Sequence, residues 1–271
     1  MNSPLGATAT TDASTRAPRQ RLRFTRAIPH SRRIAASSCA ALAATCLLAV
    51  TAGQARAGEV PARVQATQEL VVLLSAHHAR RAPAAGSPQM ALVAARRPIT
   101  GEPTTLPVLS RSIGLHGMRW LLVMLPGRPN GSVGWIPQQG TRPLITPWRI
   151  DVDLNTRSVA AYRDGRAMRV FKAVIGKPST PTPTGHFFVE ESVRMPVGQP
   201  GGPFALALSA RSNVLQEFEG GPGQVAIHGS HDLAARLGTA ASFGCIRLAN
   251  ASIDWLAARI PPGTPVGIYR S

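Results

Sequence analysis

The only cysteine outside the N-terminal apolar run is Cys245, in the string Ser242-Phe243-Gly244-Cys245-Ile246-Arg247-Leu248. A His-Gly pair, His228-Gly229, lies upstream within folding distance. A lone cysteine with a nearby histidine suggests a thiolate nucleophile. The thiol must lose its proton to attack a carbonyl, and a neutral His228 within hydrogen-bond reach can take that proton and later return it to a leaving amine. Gly244 would let backbone N–H groups approach the developing oxyanion. Two residues past the nucleophile, the planar fork of Arg247 suits a substrate carboxylate, or it pairs structurally with Asp254 or a backbone carbonyl; both readings stay open. Ser242 either organises the nucleophile loop or only shapes a turn, and Phe243 reads as a wall residue. His231 forms H-x-x-H with His228, and Cys245 would complete a three-ligand zinc set without a clear fourth ligand. No metal and no cofactor is therefore expected.

Cysteine usage and charge place the chain. Cys39 and Cys46 fall inside the apolar run from Ile34 to about Ala52, behind an Arg-rich stretch that includes Arg16, Arg19, Arg21, Arg23, Arg26, Arg32 and Arg33. A basic segment, an apolar segment and the small-residue site Ala55-Arg56-Ala57 read as an export signal. At about 19 residues the run is also close to the ~20 that span a bilayer, so residues 1–57 are a signal peptide or a membrane anchor. Cleavage would leave Cys245 as the single thiol. A lone cysteine in an oxidising compartment is more economically explained by reactivity than by packing. The net charge of +17 invites nucleic-acid binding, but the arginines crowded ahead of the apolar run belong to the export signal, and no nucleic-acid partner is expected.

The rest of the chain reads as strands and turns. Residues 58–90, rich in Ala, Arg and Pro around one apolar patch at Leu70–Leu74, read as a linker or stalk, with His77-His78 on a solvated segment. Over 91–145, short apolar runs alternate with Pro126-Gly127 and Asn130-Gly131 turn signals, as in antiparallel strands, with Trp120 and Trp135 expected in packing. A run ending in Gly134-Trp135-Ile136 after such a hairpin resembles bacterial SH3-like modules. From Trp148 a second β-rich unit begins. Its Ile150–Leu154 segment alternates with period two, placing Asp151 and Asp153 together on what reads as a solvated face, and Asp164-Gly165 signals a hairpin. The Pro/Thr-rich stretch Lys177–Thr184 reads as an ordered loop between strands, and Met195–Phe204 as a loop or lid. Phe204–Leu208 and Val225–Ile227 read as strands, the latter ending at His228. A short helix over Asn250–Arg259, capped by Asn250 or Ser252, buries Ile253 and Leu256.

Taken together, His228-Gly229, the spacing to Ser242–Leu248, Asn250, Asp254, Ile175-Gly176-Lys177 and Thr182-Pro183-Thr184-Gly185 resemble the catalytic domain of YkuD-type L,D-transpeptidases over 148–271. The resemblance implies a mainly β catalytic domain with short helices, behind a small SH3-like β domain. It further implies an acyl-enzyme on Cys245, His228 as base, and Gly244, Ser242 and Phe243 around the oxyanion loop. Arg247, Gly229 and His231 would contact substrate. Phe243 stands where many members carry a second histidine, and Ile246-Arg247 where others have Thr-Asn. The expected function is an exported peptidoglycan L,D-transpeptidase forming 3-3 cross-links, monomeric, in the cell wall or periplasm, with stem peptides and the anionic envelope as partners. Alternatives are an L,D-carboxypeptidase at the same site, a non-catalytic wall-binding protein, or a zinc hydrolase.

Overall fold

The computed structural model describes residues 66–218, 220–230 and 237–271. The chain divides into two units, Met1–Ala57 and Gly58–Ser271. The signal or anchor segment of 1–57 lies outside the described residues. Among the described residues, no helix is long and apolar enough to cross a membrane.

The first sheet comprises β1 (Gln68–Leu73), β2 (His77–Arg80), β3 (Gln89–Val93), β4 (Thr105–Ile113), β5 (Arg119–Met124), β6 (Val133–Pro137) and β7 (Thr141–Thr146). Its strand order is β3-β2-β6-β5-β4-β1-β7. Residues 66–90 are thus not a linker. Leu70, Val71, Val72 and Leu73 are buried, with β1 held between β4 and β7. A short apolar run does not distinguish strand from helix or tether by itself, and the partners of β1 lie tens of residues away. His77 is likewise buried, its ring nitrogens 2.8 Å from Ser75 O and 2.9 Å from Gln139 O. Trp120 is buried as expected.

The second sheet carries the site. Its strands are β8 (Trp148–Asp153), β9 (Ser158–Arg163), β10 (Arg166–Lys172), β12 (Gly185–Arg194), β13 (Phe204–Arg211), β14 (Gln224–His228), β16 (Ile246–Arg247) and β17 (Pro265–Tyr269). A small pair, β11 (Ile175–Gly176) with β15 (Ala240–Ser242), stands beside it. The order is β10-β9-β8-β17-β12-β13-β14-β16, with β8–β17 and β14–β16 parallel. Asp164 and Gly165 both have positive φ, 52° and 74°, as the tight β9–β10 hairpin requires. Helix α1 (Asn250–Ala257) buries Ile253 and Leu256. Neither Asn250 nor Ser252 caps it: the N-cap is Ala249, without a side-chain bond. Asp151 also departs from expectation. It is buried, and its Oδ1 accepts from Arg149 Nε at 2.7 Å. Its neighbour on β17 is Gly267, and a Cβ there would approach Asp151 Oδ1 to 2.9 Å.

The two sheets meet along β12. Phe187 and Val189 enter the second sheet's core, whereas Phe188 joins the core of the first. A bulge between Val189 and Glu191 turns consecutive carboxylates inward. Glu190 pairs with both Arg97 and Arg211, the latter at 3.1 Å. Glu191 Oε2 accepts from Thr100 N at 2.9 Å and Thr100 Oγ1 at 3.0 Å. Burial pushes Arg97 below the ordinary guanidinium range. Burial and then the nearby charge of Arg128 bring Arg211 down to about 10, so it remains a cation at neutral pH.

Candidate active site

The register of β14 and β16 assembles the chemistry. Ile227 lies beside Ile246 and His228 beside Arg247, in parallel. Leu248 N donates to His228 O at 2.8 Å, extending the pairing. Alternation puts Ile227, Ile246 and Leu248 into the core, and His228, Cys245 and Arg247 on the opposite, half-buried side. The sheet therefore delivers thiol, imidazole and guanidinium to one face. His228 Nδ1 lies 2.6 Å from Gly229 O. Since a carbonyl only accepts, Nδ1 carries the proton and Nε2 is left as the basic nitrogen.

The cysteine loop is tied from below by hydroxyls. Ser242, fully buried, donates from Oγ to Cys245 O at 2.6 Å and accepts Gly244 N–H at 3.1 Å. Thr182 Oγ1 donates to Gly244 O at 2.8 Å and accepts Gly176 N–H at 2.9 Å, while Thr180 Oγ1 donates to Ser242 O at 3.2 Å. The Pro/Thr-rich loop is thus the ordered floor of the nucleophile turn. Gly244 holds φ +121°, a conformation that L side chains rarely adopt. Because its N–H is taken by Ser242, Gly244 supplies the turn and not the oxyanion donor. Ser242→Ala would strand a buried N–H and remove a bond to Cys245 O. It should cost about 2–3 kcal/mol in urea unfolding and lower turnover about tenfold or more through misplacement of the thiol. Unchanged stability would assign Ser242 to a mere turn.

The other expected site residues fall into two groups. Phe243 is 48% exposed, its ring lies 5.9 Å from that of Phe218, and Lys177 Nζ sits 4.2 Å from its centroid. Arg247 makes no ion pair with Asp254 among the described residues, and its buried Nε has no hydrogen-bond partner. Gly229 is tightly packed. It is buried, and a Cβ there would run into Asn250 Oδ1 and come within 3.0 Å of Ile253 and 3.1 Å of Pro203. Asn250 Oδ1 accepts Ser230 N–H at 2.9 Å, which fixes the chain just after the histidine. The Met195–Phe204 loop does border the site, since a Cβ on Gly201 would sit 3.7 Å from His228 Nδ1. His231 lies outside the described residues. Sequence reasoning misses Phe218, which carries no local motif; Lys177 and Thr182 stand in the motif strings and Thr180 in the loop between them, but no local signal gives their contacts.

The family model described as the YkuD L,D-transpeptidase catalytic domain matches residues 147–268. The chain is 30% identical over 148 residues to YkuD of Bacillus subtilis strain 168, a candidate L,D-transpeptidase, covering 55% of this chain and 74% of that one. To its counterpart in Bacillus licheniformis it is 35% identical over 129 residues, 46% of this chain and 68% of the relative. Among solved structures, the catalytic domain of an Enterococcus faecium L,D-transpeptidase shares 24% identity over 45% of this chain and 96% of that chain, with a TM-score of 0.36. With relatives of this identity and coverage, and a family model over residues 147–268, the chain belongs to the YkuD family of L,D-transpeptidase catalytic domains.

Proposed function

We propose that this protein is an exported peptidoglycan L,D-transpeptidase that forms 3-3 cross-links through an acyl-enzyme on Cys245. The observation that carries the reading is the shared face of Cys245, His228 and Arg247, with His228 held as the Nδ1–H tautomer. Nε2 takes the thiol proton as sulfur attacks the carbonyl between the third stem residue and the terminal D-alanine. The C–N bond breaks, D-alanine leaves with that proton, and a thioester remains. An amine on a neighbouring stem then attacks the thioester, its proton passes to His228 Nε2, and the thiolate is released with the new amide. The buried, unpartnered Nε of Arg247 supports its role as a carboxylate contact, because a guanidinium N–H without an acceptor is costly until one arrives. The same reading places the protein in the cell wall or periplasm as a monomer, released by signal cleavage or held by its N-terminal segment, against the anionic envelope.

Incubating purified protein with a disaccharide-tetrapeptide and following products by mass spectrometry tests this. Cross-linked dimer with released D-alanine is the expected product. Loss of D-alanine without dimer would instead assign an L,D-carboxypeptidase, with water as acceptor.

A further inference from the structure

The first sheet reaches the active site through one loop. Between β5 and β6, Arg128 Nη1 donates to Ser212 O at 2.7 Å, and its Nη2 to Leu215 O at 3.1 Å and Pro222 O at 3.4 Å. Asn130 imitates a strand partner. Its Oδ1 accepts Arg211 N–H at 2.8 Å, its Nδ2 donates to Arg211 O at 2.7 Å, and the same Nδ2 reaches Asn213 Oδ1 at 3.2 Å. These bonds bracket the segment 212–223, at whose start Ser212 Oγ also accepts Val214 N–H at 3.2 Å and Leu215 N–H at 3.0 Å. Asn213, Val214, Gln216, Glu217, Phe218, Gly220 and Pro222 are all exposed. Within it, Ser212 N donates to Gly223 O at 2.8 Å, and Phe218 and Gly221 exchange backbone bonds of 2.9 and 3.0 Å, closing a small turn. Gly223 has φ +62°, and a Cβ there would collide with Leu215 O and come within 3.2 Å of Arg128 Nη2. At the base of that turn stands Phe218, 40% exposed, packed on Phe243 two residues before Cys245.

We propose that Arg128 and Asn130 are positioning residues for the reaction: they fix the 212–223 segment so that Phe218 and Phe243, with Lys177 above the second ring, form one wall of the substrate site. A segment with few buried apolar contacts opens locally at low cost, so its placement depends on the bonds that pin it. The wall offers an apolar surface with an ammonium beside it, suited to a short peptide bearing small apolar side chains and a carboxylate. Its role in turnover rests on the transpeptidase reading, whereas its mechanical basis does not.

The test uses the full chain and three measurements. In Arg128→Ala/Asn130→Ala, amide exchange across 212–223 should accelerate about tenfold or more. KM for a disaccharide-tetrapeptide donor should rise about tenfold with kcat changed less than about threefold. Alkylation of Cys245 by iodoacetamide should stay within about twofold, since the thiolate itself is untouched. Phe218→Ala should raise KM to a similar degree, and adding it to the double variant should raise KM no further, because coupled residues are not additive. Unchanged exchange, unchanged KM, or full additivity of the Phe218 change would each overturn the proposal. If the double variant fails to fold, Phe218→Ala alone decides whether the wall matters. If the unaltered protein alkylates at Cys245 yet never consumes the tetrapeptide, the transpeptidase reading falls and the exchange data decide the positioning.

Discussion

Cys245→Ala is expected to lower release of D-alanine from a tetrapeptide donor by about 10⁴-fold or more, because removal of a covalent nucleophile leaves only binding and electrostatic terms. The variant should also lose the covalent mass that a carbapenem is expected to leave on the unaltered protein. His228→Ala should be less severe, about 10²–10⁴-fold, the range for a positioned general base. The order of the two follows from the geometry. In the proposed reaction the thiol forms the new bond, while His228 acts through Nε2, its Nδ1 being committed to Gly229 O. Turnover and adduct formation that persist in Cys245→Ala would exclude the acyl-enzyme on Cys245.

Glu190→Gln is expected to destabilise the fold by about 3–5 kcal/mol, measured as a shift in the urea midpoint at unchanged slope. Glu190 has no exposed side-chain surface and lies between two guanidiniums that are themselves 10% and 8% exposed. Neutralising it leaves Arg97 and Arg211 as buried like charges without their shared partner. Replacing all three by apolar residues of similar size should cost much less, since the penalty lies in breaking the cluster and not in lacking it. A shift below about 1 kcal/mol for Glu190→Gln would mean that water reaches the cluster. Because Arg97 lies on the connection between β3 and β4 of the first sheet and Glu190 on β12 of the second, the same measurement reports how firmly the two are joined.

Much of the second sheet was legible because its cues are local. The alternation of Ile150–Leu154, the Asp164-Gly165 turn and the apolar face of the helix over Ile253 and Leu256 each depend on neighbours within a few residues, and each is present. The buried strand at Leu70–Leu73 was read as part of a linker, because its fitness as a strand depends on β4 and β7, remote in the chain. Asp151 was read as solvated for a similar reason, as the pleat reveals which residues share a face but not what covers that face.

The sequence by itself determined the family: Cys245 and His228, the proposed reactive pair, stand in the motif strings from which the family follows. Only the tertiary structure decided which groups serve them: Ser242 and Thr182 bracing the loop, Gly244 turning it with its N–H already engaged, and Asn250 fixing the chain after His228 instead of capping a helix. Hydrogen-bond partners are chosen by proximity in space, and β14 and β16 bring together residues that pairing, and no local preference, makes neighbours.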